Sequence, residues 1–160
     1  MSGLDRVSHR ARHNWGMILG IAACFGASWL ALTRWQASVA AHDATFEQGR
    51  QLYEAVVPMR ARLVGQDFDL PSVATRCTNC HAVIAQPGQS GFAPTLTGAM
   101  LTENRRRRGG PASAYDMAAF CRVLREGIDP AQVMVNSVMP RYDVDREQCA
   151  AIWFYLTRTP

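Results

Sequence analysis

The chain has 160 residues, room for one small domain plus a targeting or anchoring segment and too few for two independent cores. Its formal charge of +4 is unevenly spread: as far as Trp35, four arginines against Asp5 leave +3, and the remaining 13 arginines against 12 acids leave +1. The near-neutral downstream part argues against a nucleic-acid partner, and with no lysine in the chain any docking to an acidic protein must use arginine.

Residues 14–33, NWGMILGIAACFGASWLALT, form a run of 20 residues without a charge. As a helix this run would span the roughly 30 Å hydrocarbon core of a bilayer. Arg6, Arg10 and Arg12 precede it, Arg34 alone follows closely, and Trp15, Trp29 and Trp35 stand near its ends. The excess of arginine before the run predicts a cytoplasmic N-terminus and a domain on the outer side. A cleaved export signal is the alternative, since Ser38-Val39-Ala40 offers small residues. The run is, however, longer than the about 7–15 residues of a signal core. Ile21-Ala22-Ala23-Cys24 resembles a lipoprotein processing box, but the apolar run continues through Leu32, as a spanning helix requires. The expected organisation is a cytoplasmic N-terminus and anchor over 1–36, a linker over 37–44 and a domain over 45–160. The expected location is the bacterial inner membrane, single-pass, with the domain in the periplasm.

Beyond the linker, Phe46, Gly49, Leu52, Tyr53 and Val56 recur at three and four, the period of an amphipathic helix. Residues 60–74, flanked or interrupted by Pro58 and Pro71, and residues 87–91 read as loops. Ser113 to Asp116 has the form of a capping box, followed by Met117, Phe120, Cys121 and Leu124 on one face and closed by Gly127. Asp129-Pro130 can start a short turn. Asp145 to Gln148 caps a last helix with Cys149, Ile152, Trp153 and Leu156 on one face. No stretch carries a strand signal, so an all-α fold of about four helices is expected.

Cys77-Thr78-Asn79-Cys80-His81 is a CxxCH motif, which reads as c-type haem attachment. On one helical turn, thiols three residues apart share a face and can reach both vinyl groups of a haem, while the next residue brings an imidazole under the iron. A thiol redox pair would call for a βαβ context that is missing. A zinc site would need Cys121 and Cys149 as further ligands, and these lie far apart in sequence. Among possible sixth ligands, His9 and His13 precede the apolar run and His42 lies just beyond it, which leaves the methionines Met59, Met100, Met117, Met134 and Met139. Met117 falls on a helix core face. Met139 stands in a turn-forming stretch, Asn136 to Pro140, from which a thioether could fold over a haem.

Taken together these segments resemble a class I cytochrome c over roughly residues 45–157. Gly49 and Tyr53 resemble the N-terminal helix contact of that family, CTNCH its haem motif, Ala93-Pro94-Thr95-Leu96-Thr97-Gly98 its Gly-Pro-x-Leu-x-Gly segment, Met139-Pro140-Arg141-Tyr142 its ligand loop, and residues 151–156 its C-terminal helix. The resemblance implies one covalently bound haem c on Cys77 and Cys80, His81 and Met139 as iron ligands, and the Pro94 carbonyl as the group that orients the His81 ring. Two features depart from it: residues 54–76 are longer than the family places between helix and motif, and Ala93 replaces the expected glycine.

The implied function is one-electron transfer between redox protein partners in a respiratory or periplasmic dehydrogenase chain, with the membrane reached through the N-terminal helix and no nucleic acid involved. The chain is then an electron carrier rather than an enzyme. The alternatives are a haem sensor or enzyme with an open iron position, and a dedicated cytochrome subunit of a periplasmic dehydrogenase. In an oxidising compartment Cys121 and Cys149, the two thiols left over by haem attachment and the apolar run, are expected to form a disulfide; the alternative is that both are small buried hydrophobes. The arginine run 105–108 is either a positive docking patch or a solvated loop.

Overall fold

The computed structural model describes residues 4–81 and 93–159, with side chains from residue 28 onward. The expected loop 87–91 lies outside the described residues. The chain divides into two units, Met1–His42 and Asp43–Pro160.

In the first unit the backbone belongs to helix α1 (Leu4–Tyr53), which includes the expected linker 37–44. That stretch holds four alanines and neither glycine nor proline, so nothing in it breaks a helix. Trp29, Leu30, Leu32 and Trp35 are all exposed. Among the described residues no helix is long and apolar enough to cross a membrane. Most of the run 14–33 lies outside the residues whose side chains are described.

The second unit holds the last turns of α1, α2 (Gly98–Thr102), α3 (Met117–Glu126) and α4 (Arg146–Arg158). The chain as described mixes helix with strand, with four α-helices, and the expectation of an all-α, strand-free domain is corrected. Two antiparallel ladders are present: β1 (Arg60–Arg62) with β4 (Arg141–Asp143), and β2 (Arg105–Arg106) with β3 (Ala112–Ser113). Residues 60–74, read as a loop, thus contain a strand and a 3-10 turn at Ser72–Ala74.

Helix α4 begins as its sequence predicts, with the Asp145 carboxylate accepting from Gln148 N and the Gln148 side chain accepting from Asp145 N. Helix α3 does not begin on Ser113. Its cap is Asp116, whose carboxylate accepts from Ala119 N at 2.7 Å, and Ser113 belongs to β3. At the other end Gly127 adopts the left-handed conformation with φ 72°, and the Arg141 guanidinium occupies the space a side chain there would need.

The core gathers Leu52, Tyr53, Phe120, Leu124, Ile152, Tyr155 and Leu156. Gly49 lets α1 approach α4 so closely that a Cβ would fall inside the Ala151 carbonyl, and Phe46 packs its ring edge-on to Tyr155 at 5.1 Å between centroids. A disulfide joins Cys121 of α3 to Cys149 of α4, with the Cα atoms 5.7 Å apart.

Candidate haem-attachment site

Cys77, Cys80 and His81 sit on a tight 3-10 turn, Cys77–Asn79. The Cys77 carbonyl accepts from Cys80 N at 3.2 Å and from His81 N at 2.8 Å, and the Asn79 side chain donates to Val73 O at 2.8 Å. Tyr53, buried in α1, donates its hydroxyl to the His81 carbonyl and ties the turn to the helix core. Cys77 is buried and Cys80 exposed, and neither is bridged. Burial pushes the Cys77 thiol up to about 12, with the Tyr142 hydroxyl opposing this in part. A redox dithiol needs the reverse, a thiol with lowered pKa.

The His81 ring is held from outside the motif. Its Nδ1 lies 2.8 Å from the Pro94 carbonyl oxygen. A carbonyl can only accept, so Nδ1 carries the proton and Nε2 keeps the lone pair. Burial holds the imidazole below its ordinary pKa; the Pro94 carbonyl opposes this and the nearby Arg108 charge adds to it. A half-buried neutral imidazole with Nδ1 donated and Nε2 free is the form a metal ligand takes.

No protein family, curated protein or solved structure matches this chain. What the site can do therefore rests on its own residues.

Met139 is half-buried and packed against the core. Its backbone is fixed by a turn in which Met139 N donates to Asn136 O at 3.0 Å, Val138 N donates to the Asn136 side chain at 3.1 Å, and Arg141 Nη1 donates to Met139 O at 2.6 Å. Of the other methionines, Met59 is buried in the core, Met100 and Met117 pack against it from α2 and α3, and Met134 is 63% exposed. The structure thus joins His81 to Pro94 directly and presents Met139 from a separate, well-tied turn.

Two residues of the surroundings were not singled out by sequence reasoning. Arg107, read as part of a solvated or docking run, is buried, and its guanidinium donates to the carbonyls of Met100 (2.6 Å), Arg105 (3.2 Å), Leu101 (3.3 Å), Glu103 (3.4 Å) and Ser113 while lying over the Tyr115 ring. Asp129 is fully buried; one carboxylate oxygen accepts from Ala131 N and Val133 N, each at 2.9 Å, and the other faces Arg108 at 3.6 Å. The run 105–108 is therefore divided. Arg105 pairs with Glu103, Arg107 turns inward, and Arg108 serves Asp129 and the His81 side of the site.

The donor set fits a c-type haem. Two unbridged thiols and an imidazole with free Nε2 share one turn, and a half-buried thioether stands on a tied loop. The zinc alternative loses two of its four ligands to the Cys121–Cys149 disulfide.

Proposed function

We propose that this chain is a membrane-tethered monohaem c-type cytochrome of class I that carries single electrons between redox protein partners. The observation that carries the reading is the His81–Pro94 pair beside Cys77 and Cys80: the carbonyl holds the ring 2.8 Å away by Nδ1 and leaves Nε2 available. Cys77 and Cys80 would hold the haem by thioether bonds, and His81 and Met139 would be its axial ligands. A haem held in this way supplies a one-electron iron couple, and a thioether ligand favours the ferrous state.

The chain's own residues do three things toward that chemistry. Pro94 and Tyr53 fix the imidazole and the turn that carries it. Buried Tyr53 and Tyr142 lie beside Cys77, itself buried, and keep water from that side of the turn. The 20-residue uncharged run 14–33, with Trp29 and Trp35 exposed, supports a tether in the inner membrane and a periplasmic domain.

Expression with a c-type maturation system tests the reading. The expected result is haem that stays on the protein after denaturation and acid–acetone extraction, is lost in a Cys77→Ala, Cys80→Ala double variant, and becomes reducible by one electron. Extraction of all haem from the unaltered chain would overturn it. The open-iron alternative is separated by carbon monoxide, which should not bind the unaltered ferrous protein and should bind Met139→Ala.

A further inference from the structure

The segment 54–76, longer than a link from α1 to the Cys77 turn requires, has a definite place in the domain. Met59 and Ala61 are buried, at 5% and 2% exposure, and pin β1 to the core. Outside, the Asp69 carboxylate accepts from Arg60 Nε at 3.0 Å and Arg62 Nε at 2.6 Å, which closes the segment on itself. Leu70 N donates to Ala61 O at 2.8 Å, so the polar edge of Ala61 faces Leu70 and the neighbours Arg60 and Arg62 turn their backbone groups to β4.

Strand β4 starts two residues after Met139, and Arg62 pairs with Arg141, whose side chain holds the Met139 carbonyl. Opposite Ala61 stands Tyr142, buried, with its hydroxyl donated to Thr75 O at 3.1 Å and on the side of the Cys77 thiol. Thr75 is itself fully buried and two residues before Cys77. One residue, three positions after Met139 on the strand that follows its loop, therefore reaches both the added segment and the neighbourhood of the Cys77 turn.

We infer that the segment 54–76 is a brace for the distal ligand, and that Tyr142 is the positioning residue through which it acts on Met139. The inference rests on the reading of Met139 as an iron ligand. A thioether is a weak donor, so an external base or hydroxide competes for its place whenever the loop opens. The apparent affinity for that competitor scales with the open fraction of the loop. The β1–β4 ladder and the Tyr142–Thr75 bond keep that fraction small. The Arg141–Met139 bond alone would only tie the loop to itself.

The test uses the ferric full-length holoprotein, its near-infrared methionine-to-iron band and titration with imidazole. Tyr142→Phe, which keeps the ring and removes the hydroxyl, is expected to raise imidazole affinity about tenfold and to move loss of the band to lower pH by about one unit, as removal of one buried hydrogen bond implies. Arg62→Pro, which deletes a ladder donor on an exposed residue, is expected to shift both in the same direction. Gly49→Ala, which weakens the fold at the α1–α4 crossing, should leave imidazole affinity unchanged and so separates bracing from general stability. If the unaltered protein shows the band and both variants titrate as it does, the brace is overturned and the ligand reading stands. If the unaltered protein shows no band at any pH, the ligand reading falls and the brace with it.

Discussion

His81 and Pro94 stand thirteen positions apart, yet the imidazole Nδ1 lies 2.8 Å from the Pro94 carbonyl oxygen. A proton on Nδ1 is the only arrangement that makes this a hydrogen bond, and it fixes the tautomer before any metal is bound. Long-range proton–nitrogen spectra of the protein without haem should show His81 neutral at pH 7 with the proton on Nδ1. A dominant Nε2–H tautomer would remove the main support for His81 as a ligand.

Gly49 faces the Ala151 carbonyl and the Tyr155 Cβ with no room for a side chain. Gly49→Ala is expected to destabilise the domain by about 1–3 kcal/mol, because the helices must separate to admit one methyl group. Denaturant unfolding followed by far-ultraviolet circular dichroism measures this, and an unchanged midpoint would contradict the crossing geometry.

The Cys121–Cys149 bridge closes a loop of sequence separation 28 that contains Met139. In the chain-entropy argument such a loop stabilises the fold by about 3–4 kcal/mol. A Cys121→Ala, Cys149→Ala protein should lose about that much. Non-reduced peptide mapping of exported protein should recover the two cysteines as one linked pair.

Arg107 gives its guanidinium protons to five backbone carbonyls in a buried site. An ammonium cannot reproduce that planar fork, so Arg107→Lys is expected to cost about 2–3 kcal/mol through carbonyls left without donors. Arg106→Lys, on the exposed side of the same run, should stay within about 0.5 kcal/mol. Equal effects at the two positions would show that the run is solvated throughout.

Hydrogen bonds from Arg62 first and Arg60 second hold the Asp69 carboxyl below its ordinary 3.8. A carboxylate with a depressed folded pKa contributes stability that is present above its unfolded value and lost as pH falls through the folded one. Asp69→Asn should therefore lower the melting temperature slightly at neutral pH and leave it unchanged in strong acid. The effect is small because the pair is exposed to solvent. A difference that grows toward acid would reverse the assigned sign.

Much of the site was legible because local chemistry decided it. The spacing of Cys77, Cys80 and His81 needs only one turn, Asp145 and Gln148 sit at the two positions a capping box requires, and Gly49 marks a close approach that larger residues forbid. Other features depended on partners far along the chain. Strand β1 is Arg-Ala-Arg, three residues with one inward side chain, too short to display an alternating pattern, and its existence depends on β4 some eighty positions away. Arg107 is one of four consecutive arginines, and nothing in the run distinguishes the one that turns inward. Asp116 displaced Ser113 as the α3 cap because Ser113 was already committed to the ladder with Arg105. The helix through 37–44 was obscured by its polar composition, although alanine dominates it.

The Tyr142–Thr75 contact spans 67 residues of chain, against 28 for the disulfide. Loop closure over the longer distance costs about 0.8 kcal/mol more in chain entropy, and a three-residue ladder with one hydroxyl bond returns little until neighbouring structure exists. Order of assembly follows from this. The α3–α4 pair, joined over 28 positions, can form first, whereas the latch between 54–76 and the Met139 loop closes after it. Pulse-labelled hydrogen exchange during refolding should find the amides of Arg62 and Arg141 protected after those of α3 and α4. On the proposed reading, the segment that would hold the distal ligand is then the part of the domain still able to move when the Cys77 turn is already in place.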